Sequence, residues 1–298
     1  MGAGARIPTG RHLGGAPDAR GDLPAANRGA AVSATAHAAP RPLGGLVLHQ
    51  FRYELLAFWR NPQARFFTLA LPVIFLVLLS SVFGNDTTRI GGHVVKQSTY
   101  YVGHIVALGV ISASFVNLMI AITTQRESGI LKRRRAAPIS AWVLITGRAL
   151  SSVVISVAIV VLLIVVGRLA YGVSLPGHTL PALAVAVVLG SAAFCALAFG
   201  LASFVASADA AQPVTQAVVL PLYFISGIFI PDKNIPGWLI DVADVFPVRH
   251  LAKAMFTSFD PATHGVGFSG RDLLVVAGWG VAGLVVALWR FSWVPRSK

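Results

Sequence analysis

From Phe66 to Phe83 the chain runs 18 residues without a charged side chain. At 1.5 Å of rise per residue, a helix of that length covers about the 30 Å thickness of a bilayer's hydrocarbon core. Backbone in hydrocarbon must satisfy its own polar groups, so an isolated run of this kind folds as a helix. Further apolar runs follow at 101–124, 142–170, 180–206, 212–230 and 272–289. Together they predict six spans and an all-α membrane protein. Only 12% of the 298 residues are charged, against about 25% in soluble domains. The mean hydropathy of +0.73 agrees.

Charge then orients the spans. Thr124–Trp142 reads T-Q-R-E-S-G-I-L-K-R-R-R-A-A-P-I-S-A-W, with five basic residues (Arg126, Lys132, Arg133, Arg134, Arg135) and one acid, Glu127. A short basic loop resists translocation and marks the cytoplasmic side. Arg60 and Arg65 before the first span, and Arg290, Arg296 and Lys298 after the last, predict both termini on that same side. The net charge of +13 therefore reads as positive-inside topology and not as a nucleic-acid surface, because the cations cluster beside apolar runs.

Residues 1–45 are rich in Ala, Gly, Pro and Arg, lack periodicity and contain no apolar core of a signal peptide, so they read as a disordered cytoplasmic tail before a transmembrane domain at 46–298. Leu46–Arg60 mixes apolar residues with His49, Gln50, Arg52 and Glu54. It is too polar to span and fits an amphipathic helix lying in the lipid interface, with Tyr53 and Trp59 at headgroup level. Gly84–Tyr100 is polar and reads as an external loop. Pro231–Arg271 mixes charges with apolar stretches around Trp238. That mixture predicts an external re-entrant helical hairpin between spans five and six, dipping into the outer leaflet against protein. Within the second span, Ser114, Asn117, Ala121 and Thr124 share one helical face. A polar stripe there faces protein or a cavity, and inter-helix hydrogen bonding is its simplest use.

The chain shows no catalytic site. No G-x-x-x-x-G-K-S/T phosphate loop occurs, so ATP has no cradle here. The G-V-G-F-S-G run at 265–270 lacks a preceding strand and is no dinucleotide site. His104 reads as an interfacial histidine, and no span has an acid at its centre, against ion-driven transport. Cys195 stands alone, excluding an intrachain disulfide, and no metal site is expected.

Two stretches resemble a known family. The loop R-E-S-G-I-L-K-R-R-R-A-A-P-I-S resembles the cytoplasmic loop of type-2 ABC exporter permeases, which typically read E-x-G-x-L-K-R-L-R-A-T-P-L. Glu127, Gly129, Leu131, Lys132, Arg133, Arg135, Ala136 and Pro138 match, while Arg134 replaces an apolar residue. P-L-Y-F-I-S-G-I-F-I-P, then I-P-G-W-L and F-P-V-R-H-L-A-K-A-M, resembles that family's fifth span and external hairpin through Ser226, Gly227, Pro231, Pro236, Trp238, Pro247 and Ala254. The resemblance covers about 46–291 and is nearest to the daunorubicin-type, actinobacterial drug-export branch.

The resemblance implies a permease subunit in a bacterial cytoplasmic membrane. It would pair with a second copy and rest on a pair of separate ATPase subunits that bind ATP and Mg, with no cofactor in this chain. Glu127, Gly129, Leu131, Lys132, Arg133, Arg135 and Pro138 would couple to the ATPase, Leu131 as an inserted apolar knob, and Leu46–Arg60 would be the connecting helix. The cargo expected is an amphipathic, antibiotic-like compound moved outward. Ser114, Asn117, Ser156, Thr215, Gln216, Phe224 and Phe229 are candidates for its path. A lipid-linked glycan or polymer carried by the same fold is the alternative cargo, and a non-transporting membrane scaffold the alternative role.

Overall fold

The computed structural model describes residues 43–84, 86–90, 92–131 and 141–290. The tail expected at 1–45 thus lies outside the described residues up to 42, and its last three residues already belong to a helix. Helix α1 is Leu43–Arg60. Asn61 ends it and caps the next, its side-chain oxygen accepting from the Ala64 amide at 3.1 Å. Pro62 then occupies the first turn of α2, Pro62–Phe83, where a missing N–H costs nothing. Phe66–Ala70 widens into a π turn just ahead of Pro72, whose ring cannot pack on a regular preceding turn.

Residues expected as an external loop form a β-hairpin instead. Strands β1 (Thr87–Ile90) and β2 (His93–Lys96) pair antiparallel, with Thr87 opposite Lys96 and Ile90 opposite His93. The Ile-Gly-Gly-His connection permits the tight turn, and Gly92 adopts φ +89°.

Helix α3, Gln97–Glu127, is the centre of the molecule. All of its first 15 residues, Gln97–Ile111, are buried. The most apolar stretch of α3 is 83% buried, against 22% for α2 and 17% for the last helix. Its polar stripe is satisfied differently from the inter-helix bonding expected. Ser114 donates to Val110 O at 2.6 Å and Thr124 to Ile120 O at 2.8 Å, both within α3 itself. Ser and Thr hydroxyls in a helix, buried like Ser114 or exposed like Thr124, bond back to the i−4 carbonyl when no partner helix offers an acceptor.

Around α3 pack α2, α4 (Ala141–Tyr171), α5 (Leu180–Ala202) and α6 (Ala208–Ile225); α9 (Gly270–Arg290) lies against α5, and α1 against α4. Helices α5 and α9 meet through small residues. A β-carbon at Gly280 would lie 2.8 Å from that of Ala193, and one at Gly283 would lie 2.7 Å from Leu197 N. Small side chains let backbones approach where lipid supplies no hydrophobic drive.

Five of these helices, α2, α3, α4, α5 and α9, are long and apolar enough to cross a membrane. The run expected as the fifth of six spans, 212–230, is less uniform. Helix α6 begins earlier, at Ala208, capped by Ser207, and carries Asp209, Gln212 and Gln216 in its first half. It stops at Ile225 because Gly227 turns the backbone to φ +85°. Beyond it, a short 3-10 turn leads to α7 (Gly237–Ala243) and α8 (Pro247–Thr257).

Candidate functional site

The two ends of the bundle carry different chemistry. At one end α3 gives way to the basic loop. Gly129 adopts φ +71° and its amide closes onto Arg126 O at 3.1 Å, which ends the helix in the left-handed conformation that glycine takes without strain. Arg126 counts toward the basic loop by sequence, but its side chain is buried, with 1% of the residue exposed. Its guanidinium donates to Ala202 O at 2.9 Å, to Val205 O, and to Ala206 O at 3.4 Å. The cation therefore sits on carbonyls at the C-terminal end of α5, where the helix dipole favours positive charge. Glu127 accepts from the Ala208 amide at the N-terminal end of α6, the complementary arrangement. Gln125 accepts from Arg148 of α4, and Arg148 in turn lies 3.4 Å from Glu54 of α1.

At the opposite end, α7 and α8 are stitched to their surroundings by charge. Arg249, buried in α8, donates to both Asp232 oxygens at 2.9 and 2.8 Å, and to Asp244 at 2.7 Å. Lys253 reaches Asp244 at 3.0 Å. Burial opposes the Arg249 charge, but hydrogen bonds and attraction from Asp232 and Asp244 outweigh it and hold the guanidinium above its ordinary value. Burial likewise pushes the Asp244 carboxyl up, while Lys253 and Arg249 pull it further down, so the net shift is downward. His250 bridges Asp272 of α9 at 2.6 Å and Asp244 O at 2.8 Å. His93 of β2 meets Asp260 at 2.8 Å. Trp279 of α9 donates to Val245 O at 2.8 Å. Trp279 is nine residues into α9, so the turn between α7 and α8 reaches roughly 13 Å along that helix from its start.

Several spaces open in the bundle, and two of them lie between the long helices. A cavity of about 240 Å³ with a mixed, mainly apolar lining lies among α1, α2, α3, α4 and α6, where Glu54, Asn117, Gln125, Arg148 and Gln212 stand beside Phe58 and Phe67. An apolar groove of about 290 Å³ is walled by Phe115, Phe194, Val218, Leu222, Phe246 and Trp279. Among the described residues no group of three or more His, Cys, Asp or Glu could hold a metal ion.

The sequence pattern of the family described as ABC-2 type transporter matches residues 46–259. The chain belongs to this family. Its relatives include the daunorubicin resistance ABC transporter permease protein DrrB1 of Streptomyces coeruleorubidus, 27% identical over 242 residues, which are 78% of this chain and 77% of that protein. The probable multidrug ABC transporter permease YbhR of Escherichia coli (strain K12) is 22% identical over 134 residues, 44% of this chain and 36% of that one. As an ABC-2 permease domain, the chain is a multi-pass membrane protein of a family that works with an ATPase subunit.

The loop residues expected at the ATPase contact divide into two groups in this ABC-2 chain. Lys132, Arg133, Arg135 and Pro138 lie outside the described residues. Glu127 and Gly129 sit at the end of α3, the first on the α6 amide and the second in the left-handed turn. Leu131, expected to be an apolar knob for the partner, is instead 4% exposed and belongs to the chain's own core. An apolar side chain next to a packed helix end is drawn inward before a partner can claim it.

The proposed path residues do not converge on one surface. Ser114, Ser156 and Thr215 are fully buried, and Thr215 donates to Ala211 O of its own helix. Asn117 lines the cavity among α1, α2, α3, α4 and α6. Gln216 is half-buried. Phe224 is exposed and stacks near Phe229, which packs on Phe75 and Tyr223. At the hairpin end, Ser226 and Pro231 are buried, Tyr100 donates to Gly227 O at 2.5 Å, Pro236 and Pro247 begin α7 and α8, and Trp238 stands exposed.

Arg126, Arg148, Arg249 and His250 were not visible as site residues in the sequence. The available signal was weak: a charge in the last turn of a span, or inside an apolar stretch, must find a partner if it is buried.

Proposed function

We propose that this chain is the permease subunit of an ABC exporter that moves an amphipathic, antibiotic-like compound outward, driven by a separate ATPase pair. The observation that carries this reading is the apolar, aromatic groove walled by Phe115, Phe194, Val218, Leu222 and Trp279 in a chain of the ABC-2 family. A groove with almost no polar lining suits a flat or flexible apolar body, and the similarity to a daunorubicin resistance permease points the same way. The lack of a phosphate loop leaves the energy to a partner. In this reading α6 also crosses, as the fifth of six spans, the basic end is cytoplasmic, and α7 and α8 form a hairpin re-entering from outside. Lys132, Arg133, Arg135 and Pro138 continue the contact with the ATPase, and two copies pair to enclose the path.

The mixed cavity beside Asn117 and Gln212 supports the second cargo, a molecule with a hydroxyl-rich headgroup such as a lipid-linked glycan, because amides and hydroxyls flank aromatic and aliphatic faces there.

The test is ATP-dependent uptake into inside-out vesicles containing this chain and its ATPase. Daunorubicin is the first probe and a lipid-linked oligosaccharide the second. The drug reading expects accumulation of daunorubicin that is lost with Phe115→Ala and retained with Asn117→Ala. Uptake of the glycan alone overturns it in favour of the second cargo.

A further inference from the structure

Three consecutive residues at the end of α3 each hold a different part of the bundle. Successive side chains on a helix point about 100° apart, so three in a row face three neighbours. Gln125 takes Arg148 of α4, and through it Glu54 of α1. Arg126 takes the last carbonyl of α5, at Ala202, and the Val205 and Ala206 carbonyls of the turn that follows it. Glu127 takes the first amide of α6. The basic loop begins only a few residues later, after Gly129 and the buried Leu131.

We propose that Gln125-Arg126-Glu127 is a transmission hub in which Arg126 and Glu127 are positioning residues, carrying displacement of the basic loop into the α5–α6 turn and so into the wall of the apolar groove. This rests on the permease reading and adds the route by which drive reaches the path.

The geometry supports a mechanical role in three ways. First, the contacts are directional and charged. A guanidinium on helix C-terminal carbonyls and a carboxylate on a helix N-terminal amide both use the dipole ends, where charge-assisted bonds are strongest. Second, the two grips lie on either side of one short segment. Arg126 holds Ala202, Val205 and Ala206, and Glu127 holds Ala208, so residues 202–208 follow the end of α3 as a unit. Third, that segment leads directly into helix α6, which supplies Val218, Val219 and Leu222 to the groove. Pro213 and Pro221 interrupt the backbone ladder of α6 at two places where it can bend. Helix α3, buried along most of its length, is the rigid post on which the hub is mounted.

Glu127 is the better handle for a test, because it is exposed while Arg126 is buried. The experiment uses the full chain with its ATPase in phosphatidylethanolamine–phosphatidylglycerol vesicles. Spin labels at Val218 and Leu274 report the position of α6 against α9, and ATP hydrolysis is followed in the same sample. In the unsubstituted protein, ATP shifts the distance between the labels. For Glu127→Ala, the hub predicts that the ATP-dependent shift, measured relative to the ATP hydrolysed in the same sample, falls by about tenfold, a loss in the range of ordinary coupling between sites. Glu127→Asp should restore most of it, and Ile130→Ala, three residues on and exposed, should leave it unchanged. Arg126→Lys keeps the charge but loses the fork, and should give an intermediate loss. A full shift in Glu127→Ala overturns the hub. Parallel loss of hydrolysis, shift and folded yield in Glu127→Ala and Glu127→Asp also overturns it, showing a purely structural bond. Absence of any ATP-dependent shift in the unsubstituted protein overturns the permease reading instead.

Discussion

Gly283→Ala tests the packing that holds the last helix in place. The added β-carbon would stand 2.7 Å from Leu197 N, 2.8 Å from Leu197 Cα and 2.9 Å from Ala196 C, all of them backbone atoms of α5. Ordinary contact begins near 3.4 Å, so α5 and α9 must part locally by about 0.7 Å. No side-chain rotation can relieve a clash with backbone. Overpacking of this kind costs about 1–3 kcal/mol, against about 1 kcal/mol gained from alanine's helix propensity over glycine. Gly278→Ala is the matched control on the same helix, because nothing lies within 4 Å of its new carbon. It gains the propensity without the clash. The two variants should therefore differ by about 2 kcal/mol in opposite directions from the parent. Thermal midpoints of the detergent-solubilised protein, read by fluorescence-detected size exclusion, should fall for Gly283→Ala and hold or rise for Gly278→Ala. Equal midpoints would refute close packing of α5 on α9.

Three further outcomes are expected from the same structure. Asp244 is held below the ordinary carboxylate value of 3.8, so its contribution is complete at neutral pH and is lost as pH falls through the lowered folded-state value. The stability gap between the parent and Asp244→Asn should thus be full at neutral pH and close on acidification below about 4, measured by denaturation at a series of pH values. Gly129 needs φ +71° with open space around it. Gly129→Val should weaken capture of the ATPase more than Gly129→Asn, because asparagine tolerates the left-handed region at lower cost than the 1–2 kcal/mol of an ordinary residue, as a pull-down would show. Trp279→Phe removes the bond to Val245 O and should cost about 1 kcal/mol while keeping the stacked contact with Phe246, seen as a lower midpoint with unchanged expression.

Much of the fold was legible because lipid imposes a simple code. Long apolar runs marked α2, α3, α4, α5 and α9 to within a few residues. The hairpin β1–β2 was missed because its two strands are short and its signal, a Gly-Gly pair between β-branched residues, was outweighed by the polarity of the segment. At the site, the family motif named Glu127 and Gly129, and the structure gives each a local reason: a carboxylate on the first amide of α6, and a left-handed helix end. Leu131 went the other way, from partner knob to core. Arg126 shows the limit most clearly. In the sequence it is one more basic residue beside a loop, and nothing near it in the chain indicates that α5 will present its terminal carbonyls there.

The sequence alone determined the class: a helical membrane protein of the ABC-2 family, with basic residues gathered at one loop and no phosphate-binding motif. Those properties depend on local composition, which hydrocarbon sorts directly. Only the tertiary structure decided which helix is central, which glycines touch backbone, and which charges are buried. Arg126, Arg148 and Arg249 each depend on partners supplied by residues 5 to 94 positions away, Arg148 on Glu54 being the farthest and Arg249 on Asp244 the nearest. Burial of a charge is tolerable only when such partners converge, and that convergence exists in the packed bundle and nowhere in the linear chain.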